Sequence, residues 1–522
     1  MAQRAALSVH PAHQVGPVRR RTFGSFVEHM ARCVYTGLYE PGHPTADADG
    51  LRGDVLELTR ELGVSTVRYP GGNFVSDHRW EDGVGPREER PRRHDRAWHS
   101  TETNAFGLHE FMTWAERAEV EPMYAVNLGT RGMQEALDVL EYANAPAGTA
   151  LSDRRVENGR AEPFGIRMWC LGNEMDGPWQ IGHKPAAEYG RIAAETARAM
   201  RREDEDLELV ACGSSFPSMP TFGAWEQAVL EACYEDVDMI SAHIYYREEH
   251  GDQASYLAVA DDLDAYLEAV VAAMDHVRTL RRSEKRLMIS LDEWNVTTNA
   301  HGDAGEVPTG VDWPVAPRFA ESTYSAQDAV VVGSLLICLL RHTDRVAAAA
   351  QAQLVNVLGP IRTTPGGPAW RQTIFHPFAL TSRHARGQVL RGAIDSPTVT
   401  TERFGEVAAL DAACTWDEES GELTVLAVNR SAADALELTV PLDGFDGPGG
   451  PGDASGDGSS EEGFELVEAL VLHEDDPYAV NTVEEPDRVL PRPLEEVHLE
   501  GRSVTAALPQ ISWAIIRLRR QP

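Results

Sequence analysis

The sequence predicts an α/β fold, a (β/α)8 TIM barrel followed by a C-terminal antiparallel β-sandwich. Three observations lead to this prediction. Short apolar runs alternate with longer segments of helical period over residues 20–385, the alternation repeats eight times, and after about residue 386 apolar and polar residues alternate with a period of two. Each parallel barrel strand needs a covering helix before the next strand, whereas an open doubly wound sheet would need fewer repeats.

Eight apolar runs are the predicted barrel strands. They span residues 23–29, 64–70, 121–127, 166–174, 207–215, 237–246, 286–294 and 346–353. The alanines of the last run could equally continue the preceding helix. Between the runs, apolar residues recur at three- and four-residue spacing, which predicts helices. These helices span 54–63, 107–119, 133–145, 185–204, 263–282 and 323–342.

The C-terminal part reads as a separate β-sandwich domain. Its predicted strands span 422–430, 436–442, 464–473, 502–509 and 511–518. We therefore expect a catalytic barrel domain over 20–385 and a sandwich domain over 386–522, which residues 1–19 join. Residues 443–463 are rich in Gly, Pro, Ser and Asp and predict a flexible loop, because they bury too little apolar surface to order themselves. Their "GPGGPG" matches a dinucleotide motif only formally, since no strand leads into it and no helix follows.

Charge and composition exclude several classes of protein. The chain has 522 residues, with 47 basic against 82 acidic side chains and a formal charge of -35. That charge repels nucleic acid and anionic membrane surfaces. No signal-peptide segment opens the sequence, and the longest apolar run, 329–340, is too short to span a bilayer. Six widely spaced cysteines indicate buried reduced thiols. We expect a cytoplasmic protein with no membrane or nucleic-acid partner.

Polar side chains close several of the predicted barrel strands, where the chemistry of a barrel enzyme is located. Any single acid at such a position could be a helix N-cap or a solvated loop residue. Several acids and amides at separate strand ends, all directed at one mouth, indicate a site. The residues at these ends are Glu28, Asn73, Asn127, Asn173, Glu174, His243, Tyr245 and Glu293.

Glu174 and Glu293, which close strands four and seven, could face each other across the barrel mouth. Two carboxyl groups about 5 Å apart can carry out a double displacement on a sugar acetal, as in a retaining glycosidase. Their mutual repulsion would keep one of them protonated while the other is ionised. Asp292 adjoins Glu293, but because side chains alternate along a strand only one of the two should face the substrate. Asp176 lies past a strand end and is interpreted as a loop acid.

Longer motifs identify a family. "GNE" closing strand four and "DEWN" closing strand seven resemble the acid/base and nucleophile motifs of the retaining glycoside hydrolases of clan A. The runs "FGSFVEH", "RYPGGNFVSDHRWEDGVGPREERPRR", "WHSTETNAFGLHEF", "WCLGNEMDGPWQIGHK", "ISAHIYY", "AQLVNVLGPI" and "LHEDDPYAVNTVEEPDRVLP" are similar to the intracellular α-L-arabinofuranosidases of glycoside hydrolase family 51. The resemblance extends from about residue 20 to the C-terminus.

The resemblance implies a retaining, exo-acting α-L-arabinofuranosidase that needs no cofactor or metal and assembles as a hexamer. Glu174 would be the general acid/base and Glu293 the nucleophile. Arg68 would support the carboxylates. The residues expected to bind the furanose hydroxyls or steady the nucleophile are Glu28, Asn73, Asn173, Tyr245 and Gln353, the last preferred to Gln351 because it lies in the matching run "AQLVNV".

Other residues near the expected site carry two interpretations each. Trp98 and Trp179 could stack on sugar rings near the entrance or simply pack within loops. His243 could orient a carboxylate or be a satisfied histidine of the barrel interior. His183 matches the family and would lie on the aglycone side. Segment 296–322 is rich in turn formers, and we expect it to border the site and influence substrate preference.

Three competing functions remain open from the residues. A clan A relative acting on β-xylosides or β-glucans would use the same two glutamates. A non-catalytic sugar-binding barrel would have the fold without the activity. A metal-dependent barrel hydrolase would need clustered His and Asp ligands, and no His-x-His pair follows the first strand.

Overall fold

The computed structural model describes residues 2–298, 305–445 and 463–521. Residues 299–304 of the predicted site-bordering segment lie outside this range. So do residues 446–462, which make up almost all of the predicted flexible loop.

Eight parallel strands form a closed barrel in which each strand pairs with the next along the chain. One barrel strand lies at each of the eight predicted runs, and the alanine-rich run is a strand, so the predicted barrel is confirmed. Several strands are shorter than predicted, because their last residues leave the barrel as loops at its mouth. The strands are β1 Gly24–Phe26, β2 Thr66–Tyr69, β3 Glu121–Ala125, β4 Met168–Leu171, β5 Glu208–Ala211, β6 Met239–Tyr246, β7 Met288–Val296 and β8 Val346–Ala352.

Helices surround the barrel, at least one after each strand. Within the residues that the structure describes, the six predicted helices are present, and four further helices form after β3, β5, β6 and β8. In chain order the helices are Gly53–Leu62, Leu108–Ala118, Met133–Asn144, Ala150–Glu157, Ala186–Glu203, Ala224–Cys233, Gln253–Leu257, Val259–Arg281, Ala326–Arg341 and Phe375–His384. Short 3-10 turns span Arg20–Phe23, Asn73–Asp77, Trp80–Gly83 and Arg87–Glu89.

The C-terminal region forms two facing sheets, as predicted for a sandwich. The five-stranded sheet has the order Ala393–Asp395, Gln3–Ser8, Leu436–Pro441, Ser503–Leu508, Val497–Glu500. The seven-stranded sheet has the order Gln14–Pro17, Gln388–Leu390, Leu410–Asp417, Glu422–Asn429, Ser512–Arg520, Phe464–Leu472, Arg492–Pro493. Their pairing is antiparallel except for Gln3–Ser8, which lies parallel to Leu436–Pro441.

Three small antiparallel hairpins account for the remaining sheet structure of the described ranges. Ile361–Thr363 pairs with Ala369–Arg371, and Thr398–Thr401 pairs with Gly405–Ala408. The third hairpin pairs Arg93–Asp95 with Ser100–Glu102, and its turn lies at the mouth of the barrel.

The helix Ala326–Arg341 joins the two parts of the molecule. Nearly every residue along it is buried, because it packs on the barrel on one side and on the seven-stranded sheet on the other. A β-carbon added at Gly333 would meet the Trp513 ring at 2.1 Å, so this indole ring of the sheet packs directly against the backbone of the helix there. This double burial explains the longest apolar run of the sequence. No described helix is both long and apolar enough to cross a membrane.

Buried charges also link the barrel to the sandwich. Asp411, in the seven-stranded sheet, accepts hydrogen bonds from Arg341 and Ser334 of the joining helix. Arg430 lies 2.9 Å from Asp411 and 2.9 Å from Asp261. Burial alone would raise the pKa of Asp411, but Arg341 and Arg430 outweigh it and hold that pKa below its ordinary value.

Candidate active site

The structure brings the predicted carboxylates together at the carboxyl end of the barrel. A carboxylate oxygen of Glu174, after β4, lies within 4.8 Å of a carboxylate oxygen of Glu293, on β7. Both side chains are buried, each with 6 % of its residue surface exposed. Carboxyl groups of retaining glycosidases lie about 5–5.5 Å apart, and those of inverting enzymes lie farther apart to admit a water molecule.

Glu174 accepts one hydrogen bond on each carboxylate oxygen. His243 Nδ1 lies 3.0 Å from Oε1, and Trp179 Nε1 donates to Oε2 at 2.8 Å. The main chain at Glu174 has a φ of 45°, in the left-handed region that non-glycine residues rarely adopt. Such a conformation persists only where surrounding contacts enforce it, and it is often found at functional sites.

Glu293 is held by a cation and a hydroxyl group. Arg68 donates to Oε1 at 3.0 Å, and Tyr245 donates to Oε2 at 2.8 Å. Arg68 also donates to Asn173 at 2.7 Å, and Asn173 donates to Asn73 at 3.3 Å. One buried guanidinium thereby aligns the ends of β2, β4 and β7.

Burial sets the protonation preference of Glu174. It raises the pKa of this carboxyl above its ordinary value; the His243 hydrogen bond opposes the rise, and the charge of Glu293 adds to it. A carboxyl with a raised pKa beside a second carboxylate suits a group that delivers a proton near neutral pH.

Glu28, after β1, lies in a pocket of hydrogen-bond donors. Its carboxylate accepts from the Phe74 amide at 2.8 Å, from Trp98 Nε1 at 2.9 Å and from Gln353 Nε2 at 3.2 Å. Burial raises the pKa of Glu28 to about 8 despite these donors.

The two glycines of "RYPGGN" make room for Glu28. A β-carbon at Gly71, whose φ is 147°, would lie 2.5 Å from Glu28 Cγ, and one at Gly72 would lie 2.9 Å from Glu28 Oε2. The motif therefore places the backbone directly against the carboxylate, which explains the need for glycine at both positions.

Asp292 lies deeper in the barrel than Glu293. The register between β6 and β7 shifts at this point, because Ser241 faces Ser290 but His243 faces Glu293. This irregularity breaks the expected alternation, so that Arg68 reaches both acids, with Nε 3.8 Å from Asp292 Oδ2. Ser290 hydrogen-bonds Asp292, and burial raises the pKa of this acid.

Two tryptophans stand at the rim of the site. Trp98 is half-buried and reaches Glu28, while Trp179 reaches Glu174 and is 44 % exposed. Each packs obliquely on a phenylalanine, Trp98 on Phe319 and Trp179 on Phe216, with ring centres 5.9 and 5.6 Å apart. Both indole N–H groups thus point at a carboxylate, so loop packing alone does not describe them.

The remaining sequence-predicted residues differ in their distance from the site. Gln353 contacts Glu28, whereas Gln351 donates to Asn295 at 3.3 Å. Asn127 ties down its own loop through His78 and Thr130. Asp176 joins the loops after β4 and β5 by accepting from the Ser215 amide at 3.1 Å. His183 is exposed and its ring hydrogen-bonds the Gln180 carbonyl.

Sequence reasoning missed the contacts made by loops. The Phe74 amide, Phe216 and Phe319 all support a site residue, but none ends a strand or carries a titratable group. Only the aromatic character of the two phenylalanines, in loops after β5 and β7, could have drawn attention to them.

Glu174, His243 and Glu293 offer ligand atoms within 4.8 Å of one another, a spacing that would also suit a metal ion. The structure disfavours this, because all four carboxylate oxygens already accept hydrogen bonds and Arg68 places a positive charge beside Glu293. The donors suit a pair of carboxyl groups that act on a substrate directly.

A (β/α)8 barrel with two buried carboxyl groups this close at the ends of β4 and β7 is the architecture of a retaining glycoside hydrolase. Family comparisons agree: residues 58–266 match the α-L-arabinofuranosidase 1 domain, and residues 292–512 match the α-L-arabinofuranosidase C-terminal domain. The chain belongs to glycoside hydrolase family 51, the α-L-arabinofuranosidases.

Individual relatives cover nearly the whole chain. An intracellular exo-α-(1→5)-L-arabinofuranosidase of Streptomyces lividans is 56% identical over 98% of this chain and 75% of its own length. An exo-α-(1→6)-L-arabinofuranosidase of Bifidobacterium longum is 50% identical over 99% of this chain and 98% of its own. Among solved structures, a family 51 α-L-arabinofuranosidase from Bifidobacterium longum is similar with a TM-score of 0.92, at 47% identity, covering 99% of this chain and 100% of that one.

Proposed function

We propose that this protein removes terminal α-L-arabinofuranosyl residues from arabinose-containing glycans by double displacement, with Glu293 as nucleophile and Glu174 as general acid/base. The observation that carries the proposal is the close approach of the two carboxyl groups, within 4.8 Å, at the barrel mouth. Residues 20–385 form the catalytic domain in this proposal, and the sandwich supports it.

In the first step Glu293 attacks the anomeric carbon while Glu174 donates its proton to the leaving oxygen. Arg68 and Tyr245 each donate to one oxygen of Glu293, so the nucleophile is fixed in orientation. The covalent glycosyl-enzyme that results has an ester at Glu293.

In the second step Glu174 acts as a base. Ester formation removes the negative charge of Glu293, which had contributed to the raised pKa of Glu174. The pKa of Glu174 then falls, so that it can accept a proton from the water that attacks the anomeric carbon. That water releases arabinose and frees Glu293.

Buried polar groups around the pair are suited to bind the furanose hydroxyls. Glu28, Asn73 and Asn173 lie beside it, and within the described chain Gln353 Oε1 and His243 Nε2 are buried without a hydrogen-bond partner. Buried polar atoms are usually paired, so these two atoms suit partners supplied by the sugar.

Variants of the two glutamates test the assigned roles. We expect Glu174→Ala to lower kcat about 10²–10⁴-fold on substrates with poor leaving groups and much less on 4-nitrophenyl α-L-arabinofuranoside, with partial rescue by azide. Glu293→Ala should be nearly inactive on all of them. Equal losses of Glu174→Ala on good and poor leaving groups would contradict the assignment.

The sugar preference is tested on the wild-type protein. We expect hydrolysis of 4-nitrophenyl α-L-arabinofuranoside to exceed that of the β-xyloside by several orders of magnitude. A higher rate on the β-xyloside or on β-glucans would instead favour the other clan A function. Arabinose binding without turnover would favour the non-catalytic barrel.

The finer features of the proposal rest on the named relatives. The name of the Streptomyces lividans relative supports a preference for α-(1→5) linkages. A relative of similar identity is named for α-(1→6) linkages. Product profiles on defined arabino-oligosaccharides from arabinan or arabinoxylan distinguish the two. Relatives named intracellular support a cytoplasmic location, and the family resemblance supports a hexamer, which sedimentation tests.

A further inference from the structure

The indole ring of Trp313 lies between two histidines of the hairpin formed by Arg93–Asp95 and Ser100–Glu102. Its ring centre is 4.1 Å from that of His94 and 3.9 Å from that of His99, with interplanar angles of 5° and 22°. Two rings stacked this closely on one indole cannot share a face, so the imidazoles cover opposite faces. We call this arrangement of Trp313, His94 and His99 the clasp.

Backbone contacts join the same two segments. The Thr101 amide donates to the Pro314 carbonyl at 2.9 Å, and the Thr101 hydroxyl donates to the Trp313 carbonyl at 2.7 Å. The segment that follows β7 is therefore attached to the hairpin formed by Arg93–Asp95 and Ser100–Glu102.

In the hairpin turn, one residue of the clasp directly follows the active-site tryptophan. Trp98 directs its indole N–H to Glu28, and His99, next in the chain, stacks on Trp313. His99 has a φ of 49°, in the left-handed region, so the turn holds a backbone conformation that needs support from its contacts. Phe319, six residues beyond Trp313, packs on the Trp98 ring itself.

We propose that Trp313 is a positioning residue, which through the clasp fixes the 96–99 turn and keeps the Trp98 indole N–H on Glu28. Within the proposed function, this gives segment 305–322 a defined part in shaping the arabinose pocket. Trp313 acts through Trp98 and does not itself reach the two catalytic carboxyl groups.

Hydrogen exchange tests the clasp without reference to activity. We expect Trp313→Ala to accelerate amide exchange over residues 96–101, and Trp313→Leu, which fills more of the volume without stacking, to do the same. Trp313→Phe should restore most of the protection. Val311→Ala is the matched control, because Val311 lies on the same segment and is 92% exposed. Unchanged exchange in both non-aromatic variants at unchanged melting temperature would overturn the proposal.

A double-mutant cycle tests the route through Trp98. Trp98→Phe removes the indole N–H, and we expect it and Trp313→Ala each to lower kcat/KM on the order of tenfold, the size expected for the loss of one hydrogen bond to a buried group. The double variant should lose little more than either single variant, because both remove the same contact. Additive losses would overturn the proposed route.

The two tests also separate this inference from the proposed function. A wild-type protein inactive on every arabinofuranoside would defeat the proposed function, yet the exchange experiment would still decide whether the clasp fixes the turn. Normal activity with additive losses would defeat only the role of Trp313.

Discussion

His243 and Trp179 each donate a hydrogen bond to a different oxygen of Glu174, and their effect on the pKa of this carboxyl is opposite to that of burial. Burial raises the pKa of this carboxyl, and hydrogen bonds to its ionised form lower it. Since a general acid must be protonated to act, the activity should fall as the pH rises through this pKa. The position of the basic limb of the pH profile therefore reports on these donors.

Removal of the imidazole should move the basic limb. We expect His243→Leu to shift the basic limb of kcat/KM to higher pH, because Glu174 loses a donor that favours its ionised form. His243→Asn, which keeps an N–H donor near the position of Nδ1, should shift it less. The measurement is a pH profile on an arabinofuranoside with a poor leaving group, and a shift of His243→Leu to lower pH would refute this account.

A single methyl group at Gly71 should displace Glu28. The added β-carbon would lie 2.5 Å from Glu28 Cγ, and a displacement of about 1 Å at a binding group can cost about 10²-fold in rate. We expect Gly71→Ala to lower kcat/KM by that order. Gly132→Ala is the control, because its β-carbon would meet only Ile192 Cδ1 at 3.7 Å. The measurement is the steady-state kcat/KM of both variants. A kcat/KM of Gly71→Ala equal to that of the wild type would contradict the expectation.

At the scale of elements, the sequence predicts those strands and helices that are buried on both faces. Barrel strands such as Ile289–Leu291 within β7 and the joining helix Ala326–Arg341 show as apolar runs because each packs between two layers. The sandwich strands Gln388–Leu390 and Ala393–Asp395 were missed, since a strand of three residues is too short to show a clear alternation. Tertiary pairing, not local pattern, determines those short strands.

The site was predictable to the extent that it lies at strand ends. Glu174 and Glu293 end apolar runs, and the barrel topology brings such ends together. The position of Asp292 was not predictable, because a register irregularity does not show in the residue pattern. The clasp was not predictable either, since Trp313 meets histidines about 200 residues earlier in the chain, through loops without periodicity.

At the scale of the whole molecule, the buried acid Asp411 links the barrel helix to the sandwich. Asp411→Asn leaves Arg341 and Arg430 with one counter-charge fewer, and breaking a buried pair in this way costs about 3–5 kcal/mol. We expect the free energy of unfolding in urea at pH 7 to fall by that amount. Asp395→Asn, at an exposed position, should have little effect.

The stability difference between wild type and Asp411→Asn should depend on pH. Because the pKa of Asp411 is held below its ordinary value when the protein is folded, its stabilising contribution is present above the ordinary aspartate pKa and fades as the pH falls. The difference in the free energy of unfolding between wild type and Asp411→Asn should therefore become smaller at acidic pH. A difference that widens as the pH falls would contradict this assignment.

The parallel pairing of Gln3–Ser8 with Leu436–Pro441 has a consequence for biosynthesis. This strand is translated before the barrel, whereas both of its neighbours in the sheet are translated only after the whole barrel. Until then its hydrogen-bonding edges are open, and the barrel must fold while it is attached to an unpaired strand. We expect nascent chains halted before residue 393 to keep this segment sensitive to protease, and chains halted well beyond residue 508 to protect it.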